Sequence, residues 1–63
     1  MNGKELIKLL EKNGYTVVRI SGSHHTMKKE GFPSIVVPVH GGQDLGKGLE
    51  LDILKKAGLR GQK

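Results

Sequence analysis

The hydrophobic period of this 63-residue chain changes twice, from helical to alternating and back to helical, with glycine at the changes. Few folds satisfy that pattern. From residue 2 to 13, Leu6, Ile7, Leu9 and Leu10 cover one arc of a helix, while Lys4, Glu5, Lys8, Glu11 and Lys12 fall on the opposite one. Asn2 followed three residues later by Glu5 has the form of a capping box, and Gly14 stands where a left-handed C-terminal cap lets the chain leave the helix. The β-branched run Thr16-Val17-Val18, with Ile20, then predicts a strand over residues 15–21. Gly22-Ser23 reads as a two-residue hairpin connection, and residues 24–29 as a second strand. Glu30-Gly31-Phe32-Pro33 breaks it, and Ser34-Ile35-Val36-Val37 makes a third strand that Pro38 ends or confines to an edge. The glycine-rich stretch 39–48 reads as a loop. A second helix runs from about Gly48 to Ala57, with Lys55 and Lys56 complementing its C-terminal dipole and Gly58 ending it. Leu49, Ile53, Leu54 and Ala57 form its apolar arc; Leu51 lies off it. The expected architecture is α+β, in the order α-β-β-β-α, with both helices on one face of a three-stranded antiparallel sheet. Residues 1–63 form a single domain, of which residues 60–63 read as a frayed, flexible tail.

Size decides where chemistry can happen. A chain this short encloses no deep cavity, so its function belongs on a surface. It has no cysteine to form a disulfide, and a single core of this size supplies only about 3–5 kcal/mol, so a partner chain would stabilise it appreciably. Lys and Arg number 11 against 6 Asp and Glu, a net charge of +5, and a folded basic surface usually meets phosphate. Tyr15 and Phe32 are the only aromatics besides histidine, which is too few for a base-stacking platform, so backbone electrostatics would dominate any nucleic-acid binding. No apolar stretch reaches the length of a membrane span or a signal-peptide core, and the expected location is the cytoplasm.

Within that frame the segment Gly22-Ser23-His24-His25 carries the chemistry. Alternation places His24, Thr26 and Lys28 on one side of the second strand and His25, Met27 and Lys29 on the other. With Met27 directed at the helices, His24 faces outward; a register slip of one residue would put His25 there instead. Imidazole, with an unperturbed pKa of about 6.5, can take or give a proton near neutrality. Beside lysines it suits RNA cleavage without metal: it removes the proton of a ribose 2′-hydroxyl, and nearby cations stabilise charge on the attacked phosphate. Lys28 and Arg19 are the cations for that role, Lys29 is a further RNA contact, and Ser23 a hydrogen-bond donor to phosphate oxygen. The proton for the leaving 5′-oxygen has three candidate sources, His25, His40 and water. His40 also reads as a loop histidine that orders Gly41-Gly42. Adjacent histidines on a strand diverge and no cysteine is present, so neither a metal site nor a cofactor is expected.

The residues also carry a family resemblance. Asn13-Gly14-Tyr15 after the first helix, Gly22-Ser23-His24-His25, the stretch from Val37 through Pro38, His40, Gly42 and Leu45 to Gly48, and Ile53-Leu54-Lys55-Lys56-Ala57-Gly58-Leu59 together resemble HicA-type toxins, the small mRNA interferases of HicA–HicB toxin–antitoxin pairs. The resemblance implies a double-stranded-RNA-binding-like fold and a type II toxin. It further implies metal-independent mRNA cleavage with translation arrest, and neutralisation by a HicB-like antitoxin in a hetero-oligomer that covers the active surface. By the motif, the catalytic histidine is His24; no role carries over to His25. Where family members often place threonine after the glycine opening the last helix, this chain has Leu49, followed by Glu50. That departure, with Leu51 off the apolar arc, makes Leu51 a candidate antitoxin contact. The alternative reading is a non-catalytic RNA-binding module of the same fold.

Overall fold

The structure, a computed structural model, describes residues 1–59; the expected tail at 60–63 lies outside them. Its elements run α1 Gly3–Lys12, β1 Thr16–Ser21, β2 His24–Lys28, β3 Ile35–Pro38 and α2 Lys47–Lys56, the α+β order expected from the hydrophobic periods.

Helix α1 begins with a complete capping box. Asn2 Oδ1 accepts from the Glu5 N–H and Glu5 Oε1 accepts from the Asn2 N–H, both at 2.9 Å, so two of the helix's orphan donors are satisfied. Both helices end in the same way. The Tyr15 N–H reaches the Leu10 carbonyl and the Gly14 N–H that of Glu11; at the end of α2, Leu59 reaches Leu54 and Gly58 reaches Lys55. These are Schellman motifs, and each needs its glycine in the left-handed region, where Gly14 has φ 96° and Gly58 φ 73°. The residue after each glycine, Tyr15 or Leu59, is buried in the core, which fixes the direction in which the chain leaves the helix.

The strands form one antiparallel sheet in the order β1-β2-β3, with β2 central and β3 at an edge, as its terminal Pro38 requires. Gly22 at φ 59°, followed by Ser23 without positive φ, gives the two-residue hairpin a type II′ turn and pairs Ser21 with His24. Both helices pack chiefly against β3 on one face of the sheet. Leu6 and Leu10 from α1 meet Met27, Ile35 and Val37 from the sheet and Ile53, Leu54 and Ala57 from α2. Met27 and Val37 are fully buried, and burying a side chain of this kind stabilises the fold by roughly 1.5–3 kcal/mol. Ile20 projects to the same side of the sheet but remains 61% exposed, because the helices sit towards β3 and leave the β1 margin uncovered.

One expectation for α2 needs correction. The helix starts at Lys47, within a residue of the expected start, with Gly46 as N-cap and no side-chain capping bond. Leu49, expected on its apolar arc, is 41% exposed: burial is confined to Ile53, Leu54 and Ala57, because only the second half of the helix reaches the sheet. Leu51 is 55% exposed, as its position off the arc predicts. Among the described residues no helix is long and apolar enough to cross a membrane.

Candidate active site

Opposite the helices, the sheet presents a face that no other element among the described residues covers. Strand pairing determines what stands on it, since cross-strand partners share a face. On β2 these are His24, Thr26 and Lys28; opposite them lie Pro38 and Val36 on β3, and Ser21, Arg19 and Thr16 on β1. His24, Lys28 and Arg19 are all exposed. No carboxylate occurs among these partners, so the face is cationic.

Arg19 reaches this face through an irregularity. The β1–β2 register shifts between Val17 and Arg19, so that Val17 pairs with Met27 while Arg19 already pairs with Thr26, and Val18 is the extra residue of a bulge. Strict alternation from Val17, whose partner Met27 is buried beneath the helices, would send Arg19 to that covered side. The bulge reverses the phase and puts Arg19 on the same face of the sheet as His24. Arg19 is the diagonal neighbour of His24, a separation of about 7–8 Å between strands and within reach of a long side chain. Lys28 lies on the same strand and face as His24 but about 13 Å further along it. Ser21 stands directly across from His24; that neighbour follows from the two-residue turn, which makes the flanking residues a pair.

The remaining expected site residues are placed elsewhere. Ser23 sits half-buried in the turn, and its carbonyl accepts from the Val39 N–H at 2.7 Å. His25 pairs with Ile20 and Val37 on the helix side, half-buried, and its buried Nδ1 has no hydrogen-bond partner among the described residues. The register thus selects His24, not His25, for the open face. Lys29 is not brought to that face. Its ammonium lies 4.3 Å from the Phe32 ring centre and 5.8 Å from that of Tyr15, and its stem covers Gly14, where a Cβ would meet the Lys29 Cε at 3.2 Å. Phe32 in turn packs against Gly58, with its Cε2 3.2 Å from where a Cβ would stand. Lys29 therefore joins the Schellman ends of both helices through one aromatic residue, a packing role that alternation alone does not reveal. The Tyr15 hydroxyl beneath is buried without a partner among the described residues, and burial raises its pKa above the usual tyrosine value of 10.0.

Among the described residues no cluster of three or more histidine, cysteine or acidic side chains is positioned to hold a metal ion. One end of the candidate face is braced by α1. Gly3 is buried against the main chain of Pro38 and Val39, and a Cβ there would lie 2.5 Å from the Pro38 carbonyl oxygen. The helix thus seats its first turn directly on the residue paired with His24. Nearby, the Met1 ammonium lies 3.3 Å from Glu50 and 3.7 Å from Asp44, and the Glu50 contact chiefly raises its pKa.

The family model described as "HicA toxin of bacterial toxin-antitoxin" matches residues 3–59, nearly the whole chain and all of the face described above. No curated protein matches the chain significantly.

Proposed function

The chain belongs to the HicA toxin family of bacterial toxin–antitoxin systems, and from that premise we propose that it is a metal-independent endoribonuclease that cleaves mRNA and arrests translation. The observation that carries this reading is the exposed His24 on the central strand of an uncovered, carboxylate-free face, with Arg19 diagonal to it.

In this reading a neutral His24 imidazole takes the proton of the ribose 2′-hydroxyl. The resulting alkoxide attacks the adjacent phosphorus and the P–O5′ bond breaks, leaving a 2′,3′-cyclic phosphate on one fragment and, once the departing oxygen is protonated, a 5′-hydroxyl on the other. Arg19, aimed by the bulge, stabilises the charge that builds on the non-bridging oxygens. Lys28 holds the RNA backbone further along the strand, and Ser23 donates a hydrogen bond to phosphate from the turn. Lys29, engaged with Phe32 and Tyr15, is assigned to packing instead of RNA. The protein partner is a HicB-like antitoxin that covers the open face, with Leu51 as an outlying contact, and both chains reside in the cytoplasm.

Expression from an inducible promoter, with purified chain assayed on RNA in excess EDTA, tests the proposal. Cleavage and growth arrest are expected for the wild type. His24→Ala removes a general base, a loss of about 10²–10⁴-fold in rate, without loss of folding or RNA affinity. A chain that binds RNA but leaves it intact would instead be a non-catalytic RNA-binding module, and loss of cleavage in EDTA would point to a metal-dependent reaction.

A further inference from the structure

We propose that His40 donates the proton to the departing 5′-oxygen and so forms with His24 an acid–base pair across one phosphate; this rests on the endoribonuclease reading above. The pairing of β2 with β3 does not stop at His24 and Pro38. The Val39 N–H donates to the Ser23 carbonyl at 2.7 Å, which continues the same register by one residue. Alternation carried through that bond puts Pro38 on the open face, Val39 on the helix side, and His40 on the open face again. His40 is exposed, and a register continued to it makes it the diagonal neighbour of His24, a position usually about 7–8 Å away on a sheet. Of the three histidines in the chain, only these two share a face; His25 points to the other side.

His40 is also held in place, although it stands outside a strand. Its carbonyl accepts from the Gln43 N–H at 3.1 Å in a tight turn whose next residue, Gly41, has φ 60°. On its N-terminal side the Val39 bond and the buried contact of Gly3 with Pro38 and Val39 fix the chain. On its C-terminal side Asp44 bridges to Asn2, and the Leu45 N–H reaches the Met1 carbonyl at 3.1 Å. The short turn is therefore anchored at both ends.

The step balances with these two groups. His24 accepts the 2′-hydroxyl proton, the O2′–P bond forms, the P–O5′ bond breaks, and a protonated His40 delivers its proton to O5′. The products are a 2′,3′-cyclic phosphate and a free 5′-hydroxyl; His24 is left protonated and His40 neutral, and exchange with water resets both. Two nitrogens that each reach one apical oxygen at roughly 2.6–3.2 Å stand on either side of one phosphate, and backbone positions about 7–8 Å apart on one face let two imidazoles flank it. The two imidazoles approach from neighbouring strands, as in-line displacement requires of a base and an acid serving opposite apical positions.

The test uses a synthetic oligoribonucleotide spanning a mapped cleavage site, made with either oxygen or sulfur at the bridging 5′ position. A thiolate leaves without protonation, so sulfur makes a general acid unnecessary. His40→Ala is expected to slow cleavage of the oxygen substrate by about 10²–10⁴-fold and to cleave the sulfur substrate at nearly the wild-type rate, whereas His24→Ala is slow on both. His40→Asn replaces the alanine variant if the latter unfolds. Equal slowing of His40 variants on both substrates, or wild-type cleavage of the oxygen substrate, overturns the assignment. A wild-type chain inert on both substrates, or a His24→Ala variant as active as wild type, removes the underlying nuclease reading and the acid assignment with it.

Discussion

Substituting Gly3 by alanine is expected to destabilise the fold and disable the site together, although alanine is the better helix former. The opposing effects can be sized. A Cβ at Gly3 would lie 2.5 Å from the Pro38 carbonyl oxygen and 3.0 Å from the Cα of Val39, so α1 and the end of β3 must separate by about 0.5 Å before the closest contact reaches 3.0 Å. Both neighbours are main-chain atoms, which cannot swing aside as a flexible side chain can. Overpacking of this kind costs about 1–3 kcal/mol, whereas replacing glycine by alanine inside a helix gains at most about 1 kcal/mol, and less at a first helical position. The net loss therefore lies between near zero and about 3 kcal/mol, and in a domain of this size each kcal/mol lowers Tm by about 4–8 °C. Gly48→Ala in α2 is the control: nothing lies within 4 Å of its would-be Cβ, so only the helix-propensity gain remains and Tm should rise. Thermal unfolding followed by circular dichroism measures both. Because Pro38 pairs with His24 and leads into His40, the Gly3 variant should also lose RNA cleavage at temperatures where it is still folded. A Gly3→Ala variant as stable and as active as the wild type would refute the claim that this contact seats the site.

Other substitutions separate the roles assigned to the cations and the core. Arg19→Gln should weaken RNA binding and reduce the slope of log affinity against log salt by about one; an unchanged slope in a salt titration would remove Arg19 from the phosphate contacts. Lys29→Ala should lower Tm, since the cation–π contact is worth about 0.5–1 kcal/mol at an exposed site, with RNA affinity nearly unchanged; the opposite outcome in the same two assays would return Lys29 to the RNA surface. Tyr15→Phe removes a buried hydroxyl with no partner among the described residues, so Tm should hold or rise. Because burial raises the folded-state pKa of Tyr15, the stability linked to its protonation is present below pH 10 and is lost as pH rises towards the folded value; denaturant melts across that alkaline range should show this loss in the wild type and not in the phenylalanine variant. Leu51→Ser should weaken binding of the cognate antitoxin without altering RNA cleavage, as read by calorimetric titration of the pair.

The sequence was most legible where local chemistry and tertiary packing agree. Asn2 with Glu5, the apolar arc of α1, Gly14 and Gly58 as left-handed caps, and Gly22-Ser23 as a turn each have a single low-energy use, and all occur as expected. Period-2 alternation sufficed to separate His24 from His25, because Met27 could be assigned to the core independently. Four features escaped. The bulge at Val18 leaves no mark in a β-branched run, yet it alone turns Arg19 outward. Lys29 follows the alternation, but what it covers is set by Phe32, a loop residue whose path local patterns do not specify. Leu49 has the right helical phase for burial and is exposed all the same, because phase says nothing about how far along α2 the sheet extends. His40 lay in a stretch that reads only as loop; the bond from Val39 to Ser23, which ties it to the His24 face, is a long-range pairing invisible to periodicity.

The central claim, that the His24 imidazole activates a ribose hydroxyl on an open cationic sheet, fixes the chemical ends of the RNA fragments. Mass spectrometry of fragments from a defined oligoribonucleotide, digested by the purified chain in EDTA, should find 2′,3′-cyclic phosphate on one side of the cut and a 5′-hydroxyl on the other, with no cut where the nucleotide supplying the nucleophile carries 2′-deoxyribose. Fragments ending in 3′-hydroxyl and 5′-phosphate, or continued cutting at the deoxy position, would show that water is the nucleophile and contradict the account.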